Sequence, residues 1–206
     1  MDQLVTEQQG KGIYAGLPWF NEYWGRDMFI AMPGSTLISG QFEYSKEILK
    51  DFAKFQDTDL NSPTCGRIPN RPNPDGILYN TADGTPRFVI EAEELLQYCG
   101  DQSFLKDIYP SVVLSTEQSL LHHTDSRGYL MHDDADTWMD VVRKGIPGSP
   151  RGNRANDIQF LWYRQLVAAS HLAKLMNDAK HAREWQEAAC KVAQNFEQDF
   201  CDKSST

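Results

Sequence analysis

The sequence contains no apolar run approaching the length of a membrane span, and Met1 to Gly12 is polar where an export signal would carry an apolar segment. Export and membrane anchoring are therefore not expected. Cysteine is scarce. Cys65, Cys99, Cys190 and Cys201 are far apart and show no C-x-x-C or metal-ligand spacing, so they read as small core residues in a reducing, cytoplasmic compartment. Positive charge is also short, and a net charge of -9 argues against a nucleic-acid partner, whose phosphates require clustered Lys and Arg. No G-x-S-x-G occurs, and His122-His123 sit in a helical pattern, which argues against a nucleophilic hydrolase. Nothing calls for a cofactor or a metal. Strand-like alternation bounded by hairpin turns is equally hard to find.

What is present is helical. With 206 residues, 40% of them apolar, the chain can bury one sizeable core and is read as one domain over residues 1–206. The class is all-α. From Phe42 onward, Ser45, Ile48, Leu49, Phe52 and Phe55 share one helical face, opposite Lys46, Glu47, Lys50 and Asp51. Thr85 before Pro86 reads as a cap before a proline in the first turn, and Gly100 as a left-handed terminator, predicting a helix from about Pro86 to Cys99. Pro110 predicts a break between a short helix, Ser103 to Ile108, and another from Pro110 to His122. Two long amphipathic runs, Asn156 or Asp157 to Met176 and Ala179 to Phe200, flank Asn177-Asp178 as an antiparallel pair. The connections Asp57 to Asp83, Thr124 to Trp138 and Val142 to Ala155 are long, and long ordered loops on a helical scaffold are commonly functional.

Four constellations lie in or beside these loops and at the aromatic start of the chain. Leu17 to Asp27 packs Trp19, Phe20, Tyr23 and Trp24 beside Arg26-Asp27. Aromatic faces suit the C–H faces of a pyranose and the Arg-Asp pair suits its hydroxyls, although core anchors beside a local ion pair would look the same. Arg67 to Arg71 and Tyr79 to Asp83 are dense in hydrogen-bonding groups, with turns at Pro69, Pro72, Pro74 and Gly76; they could line a sugar pocket or form a solvated Asx-turn loop. His132 to Asp140 holds four carboxylates around Trp138. Acid-catalysed glycosidic cleavage needs a protonated carboxyl, and Asp140, between Trp138, Met139, Val141 and Val142, has the most apolar sequence neighbours. A calcium loop fails because Trp138 stands where the third acidic ligand belongs, and an acidic surface loop is the plain alternative. Lastly, Ser149 to Asp157 feeds a helix whose Asp157 and Gln159 could face a cavity; Asp157 could equally serve the helix N-terminus.

In this order PWF…WGRD, IPNR…YNTAD, DADTWMD and SPRGNRANDIQFLWY resemble the α-1,6-glucosidase domain of glycogen-debranching enzymes, as in bacterial amylo-α-1,6-glucosidase-like proteins, over about Gly16 to Asn177. The resemblance implies an (α/α)6 toroid related to glucoamylase and inverting hydrolysis of α-1,6-linked glucose in an α-glucan or branched oligosaccharide. It makes Asp140 the general acid, has Arg26 and Asp27 grip the terminal glucose, and makes Trp24, Asn70, Asn80, Asp83, Trp138 and Asp157 pocket neighbours. Arg87 stands where the resemblance leads us to expect a tryptophan. The family toroid has twelve helices and its general base, a glutamate, in the second half, so the chain is expected to be an amino-terminal half of about six helices. Alone it is expected to be catalytically weak or dead, completed by the missing half or covered by a second copy. A non-catalytic glucan-binding or assembly module is the alternative, and another toroid glycosidase, glucoamylase-like or trehalase-like, a third possibility.

Overall fold

The structure, a computed structural model, describes residues 5–6, 10–73 and 75–201. Most of the polar opening segment and the turn residue Pro74 lie outside the described residues. Among those described, six α-helices carry the architecture: α1 (Gly25–Met32), α2 (Phe42–Lys54), α3 (Gly84–Cys99), α4 (Gln102–His122), α5 (Asn156–Leu175) and α6 (Ala179–Phe200). Three two-stranded antiparallel ribbons of two or three residues per strand decorate the loops: β1 (Val5–Thr6) with β2 (Gly12–Ile13), β3 (Arg71–Asn73) with β4 (Gly76–Leu78), and β5 (Val142–Arg143) with β6 (Ile146–Pro147). The all-α class holds. No helix among the described residues is long and apolar enough to cross a membrane.

The helices alternate between two layers. Helix α3 packs between α1 and α5, while α2, α4 and α6 lie behind them, and α5 and α6 form the most extensive pair. The core follows from the predicted stripes: Ile48, Leu49 and Phe52 of α2 are buried, and Phe29, Phe52 and Phe88 meet edge to face, with centroids 5.1 and 5.8 Å apart. Trp162 and Trp185 anchor the α5–α6 half. Because successive helices run up and down, the short connections gather at one end. Lys46 pairs with Asp101 and Lys50 with Asp107 there, and Tyr109 bonds Asp178. The long connections, residues 57–83 and 124–155, gather at the other end, where α1, α3 and α5 begin.

Gly100 ends α3 as its place in the sequence predicts, and two aspartates that the sequence reading did not single out as caps start the helices that follow short connections. Gly100 is left-handed at φ 65° and donates its N–H to Leu96, Asp101 caps α4 through Ser103 and Phe104, and Asp178 caps α6 through His181. Two local expectations do not hold. Thr85 does not cap α3, which starts at Gly84; its hydroxyl accepts from Ile68 N–H at 2.9 Å and fastens the preceding loop. Pro110 does not divide α4. It lies on the exposed face of the helix, as does Lys106, whose carbonyl loses its helical donor. Phe104, Leu105, Ile108, Tyr109 and Val112 are buried on both sides of it, and burying such side chains, at about 1.5–3 kcal/mol each, outweighs a proline cost of about 3 kcal/mol.

His181 staples α4 to α6. Its Nδ1 lies 2.6 Å from Asp178 and its Nε2 2.8 Å from Glu117, and its ring stacks on Trp185. Burial opposes its charge, but Asp178 and Glu117 outweigh that and raise its pKa above 6.5. The stabilisation is therefore complete below the unfolded value and lost as pH rises through the raised folded value. Glu91 adds a second loss in the same direction: burial, with Glu94 adding repulsion, pushes it up to about 8, so the folded chain holds a proton that the unfolded chain releases. Melting temperature is expected to fall as pH rises from about 6.5 to about 8, and to fall less in His181→Gln, which keeps Glu91. Equal slopes in the two proteins would show that the staple is not formed in solution.

Candidate active site

Helix α1 begins under the loop that precedes α3. A β-carbon on Gly25 would lie 2.7 Å from the Pro69 carbonyl oxygen, so only glycine lets the two backbones meet. Gly25 N–H then donates to the Asn70 carbonyl at 2.6 Å, and Arg26 N–H to Asn70 Oδ1 at 3.2 Å. Asn70 thereby satisfies two of the N–H groups that a helix start leaves open. Alongside, Arg71 forks onto Glu22 at 2.7 and 3.0 Å and lies 5.7 Å from the Trp24 ring centre, holding the indole at the pocket edge.

Arg26 is the hub. Its Nε donates to Asp83 Oδ2 at 2.6 Å, Nη1 to Asp140 Oδ2 at 3.1 Å and Nη2 to the Thr137 carbonyl at 2.8 Å. One buried guanidinium thus joins α1, the start of α3 and the loop before α5. Burial opposes its charge, but Asp83 and then Asp140 hold its pKa above the ordinary value. In front lies an open cavity of about 350 Å³ lined by Ala15, Phe20, Trp24, Arg26, Asp27 and Asp140. Desolvation raises the Asp27 carboxyl, with Asp83 and Asp140 adding repulsion and Arg26 opposing. The cavity therefore combines two carboxyl groups, one fixed cation and two aromatic rings. That set can hold a neutral polyhydroxyl ligand and offer it a proton.

Behind it, polar groups remain unsatisfied. Asp83 is 2% exposed, and its Oδ1 has no hydrogen-bond partner among the described residues. The same holds for Arg87 Nε, one turn along α3. Burial pulls the Arg87 guanidinium down, with Asp83, Glu91 and Asp157 opposing. Where an aromatic wall was expected, a partly buried cation stands.

The structure separates the sequence-predicted site residues. Trp24, Arg26, Asp27 and Asp140 share the cavity. Asn70 and Asp83 are buried behind it and position α1 and Arg26. Trp138 is 56% exposed and does not line this cavity, and Asp157 pairs with Arg151 at 2.5 Å. Asn80 opens into a second cavity with Arg67 and Asp136. Gln159 is no cavity residue: fully buried, it clamps Leu130 through both backbone groups. The expected apolar surroundings of Asp140 do not form, since Val141 and Val142 are at least half exposed; Arg26 is its neighbour instead. Sequence reasoning missed the Thr137 carbonyl and the buried Arg67–Asp136 pair at 3.2 Å. A backbone carbonyl has no sequence signal, and Arg67 and Asp136 are 69 positions apart.

The chain matches the family model described as Amylo-alpha-1,6-glucosidase over residues 1–206. No curated protein matches it. Among solved structures it is similar to a rhamnosidase from Klebsiella oxytoca with rhamnose bound, at 14% identity and a TM-score of 0.65, covering 90% of this chain and 34% of that one. It is also similar to an α-L-rhamnosidase from Dictyoglumus thermophilum, at 18% identity and a TM-score of 0.62, covering 90% of this chain and 20% of that one. At these identities the likeness shows the fold, that of the (α/α)6 toroid glycosidases. The chain spans about a third and a fifth of those two proteins.

Two substitutions test the architecture of the site. Gly25→Ala drives a methyl group into the Pro69 carbonyl, which as backbone cannot move aside, and is expected to destabilise the protein by about 1–3 kcal/mol in denaturant unfolding. Arg26→Lys keeps the charge but replaces three directed donors by one ammonium. Amide exchange across residues 132–140 is expected to rise roughly tenfold, the effect of losing about one hydrogen bond. Unchanged exchange there would mean that Arg26 does not hold the loop.

Proposed function

Because the chain belongs to the amylo-alpha-1,6-glucosidase family, we propose that the Arg26–Asp27–Asp140 cavity receives the terminal glucose of an α-1,6-linked branch and that Asp140 is the general acid of an inverting hydrolysis. The observation that carries this reading is the Arg26 fork, which holds Asp140 in the wall of the cavity that Asp27 and Trp24 also line. Arg26 is shared, and its shorter bond goes to Asp83 at 2.6 Å, against 3.1 Å to Asp140. Asp83 is thus a positioning residue that takes up much of the cation's charge.

In the proposed reaction Asp140 gives its proton to the glycosidic oxygen as the C1–O bond breaks. Water attacks C1 from the opposite face and loses its proton to a second carboxylate, leaving free glucose with inverted configuration. Such a pair stands about 6.5–9.5 Å apart to leave room for the water. Asp27 and Arg26 grip the glucose hydroxyls, and Trp24 and Phe20 offer faces to its C–H groups. Neither Asp136, held in the second cavity, nor Asp157, tied to Arg151, is free to serve as the base. We assign that role to a carboxylate beyond these residues, in the remainder of a complete toroid. Ile30 of α1 and Phe160 of α5, each at least half exposed, lie on the two outer helices of the α1–α3–α5 layer. Further helices or a second copy of the chain would cover them.

The test is glucose release from a short α-1,6-branched limit dextrin by this chain and by Asp140→Asn, with binding measured in parallel. Both proteins are expected to bind the dextrin and neither to release glucose. Release by the unaltered chain that Asp140→Asn abolishes would show that a base is present within these residues. Binding that survives Asp27→Asn and Trp24→Ala unchanged would remove the cavity from the proposal.

A further inference from the structure

A second and larger cavity, of about 700 Å³, opens at the same end of the molecule and shares no lining residue with the first. Its floor is charge-compensated. Arg67 donates to Asp136 and to the Tyr79 carbonyl, and both ring nitrogens of His132 are occupied, by the Ala155 N–H and the Asp133 carbonyl. Other groups around the cavity are uncommitted. The side chains of Asn80 and Asn153 are exposed and make no hydrogen bond among the described residues. His123 Nε2 is buried and likewise without a partner. Burial, with Arg67 and His122 adding repulsion, pushes His123 down to about 4, so it is neutral at pH 7. The Tyr79 hydroxyl is spent on the Phe55 carbonyl, which leaves its ring as an apolar surface.

Two free amides, a neutral imidazole and an aromatic ring beside a compensated ion pair suit a ligand with many hydroxyls and no charge. Asp133, at the rim, disfavours a phosphate. The wall between the cavities is a single stretch of loop: Asp136 faces the second cavity, the Thr137 carbonyl holds Arg26, and Asp140 faces the first. The segment before α3 runs along the same wall, with Ala82 N–H donating to the Asp136 carbonyl at 2.7 Å.

We propose that this second cavity binds a neutral α-linked glucan segment, so that a branched substrate places its terminal glucose against Asp140 and a neighbouring linear arm against Asn80, Asn153 and Tyr79. The inference rests on the proposed function for its choice of sugar. The shared loop gives it a consequence: a glucan arm that orders residues 132–136 also steadies Thr137 and Asp140.

The experiment is a titration of the whole chain with maltotetraose, a linear α-1,4 tetrasaccharide, followed by the His123 ring and Trp24 indole resonances in NMR. Maltotetraose is expected to shift His123. Asn80→Ala and Asn153→Ala, both at exposed positions that leave the fold intact, are each expected to weaken that response by about tenfold, the worth of roughly one or two hydrogen bonds. Asp27→Asn, in the first cavity, should leave it unchanged. A His123 resonance that stays fixed while Trp24 shifts would overturn the second site and leave the first standing. A His123 response without any Trp24 response, even to the branched dextrin, would keep the second site and count against the proposed function. A His123 shift untouched by both asparagine substitutions would also overturn the proposal.

Discussion

The fork of Arg26 is the interaction on which the functional end of this molecule depends. A buried guanidinium is stable only with its charge compensated and its donors engaged, and Arg26 meets that demand by drawing in Asp83, Asp140 and the Thr137 carbonyl. The consequences spread outward. Asp83, at the N-cap of α3, makes no cap bond with its side chain, because its carboxylate is turned to Arg26. Thr85, freed from capping by the early start of the helix, accepts from Ile68 and ties down the loop that Gly25 allows to approach α1.

The up-and-down course of the helices concentrates chemistry at one end. Short connections at the other end need only caps and ion pairs, among them Asp101 with Lys46 and Asp178 with His181. The long loops must supply their own supports. Arg67 with Asp136, His132 with the Ala155 N–H and Gln159 with both backbone groups of Leu130 hold them against the helices. These buried polar contacts specify one loop arrangement; an isolated hydrophobic contact would not, because only directed bonds fix where a carboxylate points.

That arrangement divides the loop region into two cavities. The first holds a carboxyl pair, a fixed cation and aromatic rings; the second holds neutral amides beside a compensated pair. The residues between Asp136 and Asp140 serve both, so occupancy of either one bears on the loop that shapes the other.

Residue order by itself determined the features that depend on neighbours within a turn or two. The α2 stripe of Ser45, Ile48, Leu49 and Phe52, the left-handed stop at Gly100, the α5–α6 pair and the all-α class are periodicity and backbone preference, and they were legible. So was the family, from ordered motifs, and with it the candidacy of Arg26, Asp27 and Asp140. Tertiary structure decided what those motifs do together. Pro110 stays within one helix because residues on both sides of it are buried, Asn80 opens into a different cavity from Asp140, and Asp140 faces Arg26, 114 positions away, in place of its own apolar neighbours. A local pattern reports which conformation a segment prefers. Which group a side chain finally meets is set by charge compensation and burial between segments far apart in the chain.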